Sequence, residues 1–224
     1  MKLAVQTIAS GIVGLAFFGV ALFWPAGTVH YWQAWVFIAV FSATTLGPSI
    51  VLAVTAPAAL RRRLHGGPTA ETRTVQKIAI WAITVAAFGM FVLSALDHRF
   101  SWSSVPIAVV VLGNALVAVG LTLAQTVVFQ NNFAGASIRV EDDQPLVSTG
   151  LYGLVRHPMY FGALLMMFGT PLALGSYRAI VVSAVAIPVL VIRILDEEGM
   201  LRSELGGYDA YTRQVRYRLL PYVW

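Results

Sequence analysis

Long apolar runs, each about the length needed to cross a bilayer and each closed by a few polar or turn-forming residues, recur along the whole of this chain. A helix needs ~20 apolar residues to span the ~30 Å hydrocarbon core, so a chain patterned in this way has lipid as its main solvent. Composition agrees: 58% of the 224 residues are hydrophobic and only 11% are charged. Soluble domains carry roughly a quarter charged residues.

The apolar runs cover residues 3–24, 32–56, 78–96, 105–129, 159–174 and 179–195. The first is too long for a signal-peptide core, lacks a clear small-residue cleavage site and is followed almost at once by the second, so it reads as a retained helix. Gly47-Pro48 inside the second run predicts a kink, because proline removes a backbone hydrogen bond and crowds the preceding turn. Arg61-Arg62-Arg63-Leu64-His65-Gly66-Gly67-Pro68, continuing to Arg73 and Lys77, reads as a loop. Gly175-Ser176-Tyr177-Arg178 predicts a tight turn between the last two runs. The expected fold is therefore all-α: a polytopic membrane helix bundle of about six transmembrane segments, the last two a helical hairpin, followed by a charged, amphipathic C-terminal helix.

Six spans put both termini on one side. Of the 15 Lys and Arg residues, only Arg99 and Arg178 fall on the other side, which makes the richly basic side, with both termini, cytoplasmic. The formal charge of +5 reports topology rather than a nucleic-acid partner, since the basic residues flank apolar segments instead of forming one surface. Cys is absent, which excludes disulfides, thiolate nucleophiles and thiolate metal sites. His30, His65, His98 and His157 offer imidazoles, but none pair at the i, i+4 offset of a helical metal site, and no metal is expected. Phosphate-loop, dinucleotide and esterase motifs are missing as well.

Two polar clusters interrupt the apolar background. The stretch between residues 130 and 158 is longer than packing alone needs and ends in Arg156-His157-Pro158. Pro158 suits the first turn of a helix, which puts His157 at an N-terminus where free N–H groups and the helix dipole favour an anion such as a carboxylate. The plainer reading is a basic membrane interface. The second cluster, Arg193-Ile194-Leu195-Asp196-Glu197-Glu198, sets Arg193 and Glu197 four residues apart on one helix face, where they can pair. Three successive acids at a bilayer boundary are costly unless paired, hydrated or bound to a cation; the plainer reading is the solvated start of a helix.

From residue 132 to 221 the chain resembles the isoprenylcysteine carboxyl methyltransferases and, more widely, the membrane phospholipid methyltransferases. The matching residues, in order, are Asn132-Phe133, the run from Leu146 to Tyr152, Arg156-His157-Pro158-Met159-Tyr160, Arg193, Glu197-Glu198, Leu201, Gly206, Tyr208, Tyr211 and Leu220-Pro221. Leu205 and Leu151 depart from the family pattern without removing a polar group. The resemblance implies S-adenosylmethionine as cofactor. Gln144, Pro145, Leu146, Val147 and Tyr152 would lie on its adenosine side, His157, Pro158, Met159 and Tyr160 around its methionine part, and Glu197 in contact with it. Arg193 would meet the acceptor, with Asn132, Glu198 and Tyr208 completing the catalytic set. A carboxylate acceptor needs no general base; an amine or thiol would need a proton sink, for which Glu198 or Tyr208 are the first candidates. The acceptor would be a lipophilic small molecule or lipidated substrate drawn from the bilayer. Residues 1–130 would then supply four spans and residues 131–224 the cofactor-binding and catalytic region, in one integrated domain. Sterol reductases, which bind a nicotinamide dinucleotide in a related bundle, are the alternative enzyme; they are usually longer. A non-enzymatic transport protein is the alternative outside enzymes, and the chain lacks the paired repeats common there.

Overall fold

The computed structural model describes residues 2–64, 71, 73–134, 137–141 and 144–224. His65 and its neighbours through 70 lie outside the described residues. Among the described residues the secondary structure is entirely helical. Helix α1 (Lys2–Phe18) continues through a π turn (Gly19–Phe23) into the single turn α2 (Trp24–Ala26), which ends on Gly27 in a left-handed conformation (φ 67°). Helix α3 (Trp32–Thr55) accommodates Pro48 within its length. Helices α5 (Thr74–Phe100) and α6 (Ile107–Gln130) are apolar rods of 27 and 24 residues. With the 18 residues Ala9–Ala26, these make four helical segments long and apolar enough to cross a membrane. The chain is an integral membrane protein.

The remaining expectation of six spans is approximate. Helix α7 (Pro158–Ala173) has 16 residues, about 24 Å at 1.5 Å per residue, and falls short of a full crossing. Helix α8 (Ile180–Glu204) is long enough but carries its acids inside the helix, running nine residues past the expected end at 195. The two are joined by a tight turn at Gly175 (φ 72°). Each arm of this hairpin has its own partner, since α7 packs on α6 and α8 on α5. A second correction concerns Arg61, Arg62 and Arg63. They close a short helix, α4 (Pro57–Leu64), rather than lying in a loop, with Ala59 and Leu60 buried against Leu52 and Val128. The chain ends in α9 (Tyr208–Gln214) and an irregular tail.

Helices α6 and α7 approach to backbone contact. A Cβ on Gly120 would overlap the carbonyl oxygen of Gly162, and one on Gly113 the backbone of Leu172 and Ala173. Small residues permit this closeness, which replaces the hydrophobic drive that lipid cannot supply between helices. Gly120→Val should therefore lower stability by about 1–3 kcal/mol, seen as a lower melting temperature in detergent. Gly89→Ala in α5, where the added carbon meets nothing within 4 Å, should leave it unchanged or raise it. Equal melting of both variants would show that the close contact contributes nothing to stability.

The main core lies toward the end of the bundle holding α2 and the α7–α8 turn. Leu22, Tyr31, Phe37, Ala95, Val117, Ala173 and Leu174 are buried there. Tyr31 donates a hydrogen bond to the Leu174 carbonyl (2.6 Å) and stacks on His98. The opposite end, where α6 stops and α7 begins, carries the polar groups.

Candidate active site

Helix α7 starts where the sequence predicts, with Pro158 in its first turn and His157 at the cap position. The segment before it is held extended by backbone bonds from Arg156 N to the Tyr217 carbonyl (2.9 Å) and from His157 N to the Arg218 carbonyl (2.8 Å). This docking on the C-terminal tail brings the two polar clusters together. Arg156 Nε lies 2.7 Å from Glu198 Oε1, Arg218 Nε 3.0 Å from Glu198 Oε2, and His157 Nε2 3.4 Å from Oε1. Arg156, His157 and Glu198 are all buried.

This geometry corrects the expectation for Glu198. It sits three residues beyond the apolar part of α8, and burial alone would raise its pKa. His157, Arg156 and Arg218 outweigh that and hold the carboxyl at about 2. A carboxylate so stabilised is a very weak base. Tyr208 also fails as a proton sink. Burial, then the nearby carboxylates of Glu198 and Glu197, push its phenol above the usual range, so it stays protonated.

A second network surrounds Arg193, and here the sequence expectation of a direct Arg193–Glu197 pair is replaced by a relay. Arg193 Nε donates to the Tyr160 hydroxyl (3.1 Å), which donates to Glu197 Oε2 (2.7 Å). The formal partner of Arg193 is Glu71, whose Oε1 accepts from NH2 at 2.8 Å, while Gln76 Oε1 accepts from NH1 at 2.8 Å. Glu71 has no exposed side-chain surface. Its other oxygen accepts from Ile138 N (3.1 Å), so one carboxylate ties α8 to the segment that follows α6. Glu71 and Gln76 are the functional-site residues that sequence reading missed. Their only signal is an acid and an amide flanking a span start, with their shared partner Arg193 more than a hundred residues away.

The segment 137–141 is pinned from outside as well, by two-pronged pairing of Arg62 with Glu141 (2.8–3.1 Å). Asn132, expected in the site, is exposed; only its carbonyl is used, accepting from Arg62 (3.3 Å). The preceding residue turns inward instead. Asn131 Oδ1 accepts from Phe133 N (3.0 Å), a local turn that leaves Asn131 Nδ2 donating to the Tyr152 hydroxyl (3.3 Å).

These elements enclose one continuous cavity of about 700 Å³. At its polar end Gln144, Pro145, Leu146, Val147 and Tyr152 form one wall, His157, Pro158, Met159 and Tyr160 another, and Arg193, Glu197 and Tyr208 the third. Glu198 and Asn132 do not border it. From Tyr160 and Arg193 the cavity continues between α1, α3, α5, α7 and α8 as an apolar wing. An enclosure that joins a polar chamber to a hydrocarbon-lined bore can bring a soluble ligand against a lipophilic one.

Residues 108–206 match the family model described as phospholipid methyltransferase. Among solved structures, the chain is similar to the eukaryotic intramembrane Ras methyltransferase, an isoprenylcysteine carboxyl methyltransferase. That match has a TM-score of 0.51 and 19% sequence identity, covering 96% of this chain and 86% of the other. A search of curated proteins finds no significant match. The match over residues 108–206 and the shared fold bear out the resemblance read from the sequence: this part of the chain is similar to the phospholipid methyltransferases, and the whole chain has a fold similar to that of the Ras methyltransferase.

Proposed function

We propose that the protein transfers a methyl group from S-adenosylmethionine to a lipophilic carboxylate at the junction of the two cavity wings, with the polar wing open to the cytoplasm. The residues present fit the cofactor on one independent observation. Among the described residues the Tyr208 hydroxyl is buried without a hydrogen-bond partner, yet its side chain borders the same chamber as Glu197. Buried donors are rarely left unpaired, so a ligand acceptor atom is expected there. Glu197 would face the cationic groups, and the chamber walls at 144–147 and Tyr152 would flank the adenosine.

The bound cofactor supplies an activated methyl group on a sulfonium. The protein's part is to exclude water and fix the line of attack, because neutralising a cation by an anion is easier out of water. Among the described residues Arg193 uses three of its five N–H donors, on Tyr160, Gln76 and Glu71, which leaves two for an acceptor head. The carboxylate reading rests chiefly on the donors left on Arg193. Those donors present a fixed cationic fork to the junction of the two wings, which suits a carboxylate, an acceptor that needs no general base.

Titration of the purified protein with S-adenosylmethionine and separately with NADPH tests the reading, together with methyl transfer from labelled cofactor to a total lipid extract. Saturable binding of the first ligand, weakened about tenfold or more by Glu197→Gln, is expected, along with a labelled product that mild alkali hydrolyses as an ester. Binding of NADPH alone would replace methyl transfer by reduction, and an alkali-stable product would replace the carboxylate by another acceptor.

A further inference from the structure

The apolar wing of the cavity has a floor. Phe18 on α1, Phe37 and Phe41 on α3 and Phe91 on α5 meet there, largely edge to face, with ring centroids 4.9–5.9 Å apart. All four border the cavity. Beneath them the buried layer of Leu22, Tyr31, Ala34, Ala173 and Leu174 is closed off from the surface. Aromatic clusters packed in this geometry gain about 0.5–1.5 kcal/mol per pair beyond simple burial, so this floor resists displacement more than a Leu or Met wall would.

The depth of the wing follows from the helices that line it. Tyr160 and Thr170 both border the cavity on α7, ten residues or about 15 Å apart at 1.5 Å per residue. Arg193 and Val182 on α8 give nearly the same span, about 16 Å. This is about half of the ~30 Å hydrocarbon core, the reach of a chain from a single leaflet. The upper walls are of another character. Met90, Met166 and Met167 border the cavity there. Methionine is flexible and polarizable and adapts to the shape of what it touches. A bore that is soft along its sides and hard at its end discriminates length more than shape.

We propose that the Phe18, Phe37, Phe41 and Phe91 floor acts as a ruler, so that the acceptor is a lipophile with one hydrocarbon chain whose length below the reactive head is limited to about 15 Å. The proposal rests on the acceptor reading above, because the head must sit at Arg193. A single chain is favoured by volume: about 700 Å³ must hold cofactor and acceptor together, within the ~300–1,000 Å³ usual for one small-molecule site. Two acyl chains and a nucleotide do not fit that space.

The test uses straight-chain carboxylic acids of increasing length, competing with a fluorescent long-chain acid for the purified protein in detergent, with affinity expressed per mole fraction in the micelle. The micelle is as apolar as the bore, so affinity should stay nearly flat with length. It should then fall about tenfold where the extended chain exceeds the floor, the penalty of overpacking. Phe18→Ala and Phe37→Ala should move the drop to longer chains, and Met90→Phe, which fills the bore just above the floor, to shorter ones. If an alanine variant does not fold, Phe37→Leu gives a smaller shift in the same direction. A flat profile, or a drop that stays put in folded variants, overturns the ruler. Methyl transfer to the same acids is measured in parallel: transfer without a length limit removes the ruler and keeps the function, while a limit without transfer keeps the ruler and removes the function.

Discussion

Replacing Glu71 by alanine is expected to destabilise the protein by about 3–5 kcal/mol, the cost of leaving a buried guanidinium without its anion. Arg193 is only 5% exposed, so water cannot take the place of the lost carboxylate. The effect should not stop at stability. Glu71 also accepts from Ile138 N, and the segment beginning there carries Gln144 to Val147 along the proposed adenosine wall. Glu71→Gln separates the two roles. Its single carbonyl oxygen can serve either Arg193 or Ile138, and its amide then presents a donor to a donor on the other side. The glutamine variant should melt closer to wild type than the alanine variant yet bind S-adenosylmethionine about tenfold more weakly. Melting curves and calorimetry on both variants decide it. Wild-type melting of the alanine variant would mean that the pair contributes nothing, and wild-type cofactor affinity of a folded glutamine variant would mean that the segment is held without it.

Glu71 also marks the limit of what the sequence could reveal. The spans were legible because lipid imposes a one-dimensional rule, length and apolarity, that a hydropathy reading can apply without knowing any contact. Pro158 at the start of α7 was legible for a similar reason, since helix starts follow local rules. The partners of Arg193 were not. Glu197 is its neighbour on the helix face, and local reasoning pairs them, but the fold inserts the Tyr160 hydroxyl between them and supplies the charge from a residue 122 positions away. Asn132 failed on a smaller scale. A side-chain turn at Asn131 decides which of two adjacent asparagines faces inward, and identical residues carry no sign of that choice. The extent of α8 was misjudged because its acids look like an exit into water, whereas Glu198 is paired with cations from the chain before α7 and from the tail.

Glu198 should make the protein acid-labile in a defined window. Its carboxyl is held at about 2, against an ordinary value of 4.5 in the unfolded chain. As the pH falls, the native state therefore takes up this proton later than the unfolded state does. The stabilisation is complete above about pH 4.5 and is lost as the pH falls from there toward 2. Each tenfold difference in proton affinity between the two states is worth ~1.4 kcal/mol, so the gap amounts to about 3 kcal/mol at neutral pH. Glu141 is also depressed, chiefly by its hydrogen bond to Arg62, but it is more open to solvent and contributes little by comparison. Glu198→Gln removes the titrating group and leaves Arg156 and Arg218 without their shared anion. The variant is expected to lose about 3–5 kcal/mol at neutral pH and to show a shallower decline in stability between pH 4.5 and 2 than wild type. Glu141→Gln should reproduce neither effect. A folded Glu198→Gln protein with the wild-type acid profile would show that the Arg156, His157 and Arg218 cluster does not hold Glu198 ionised.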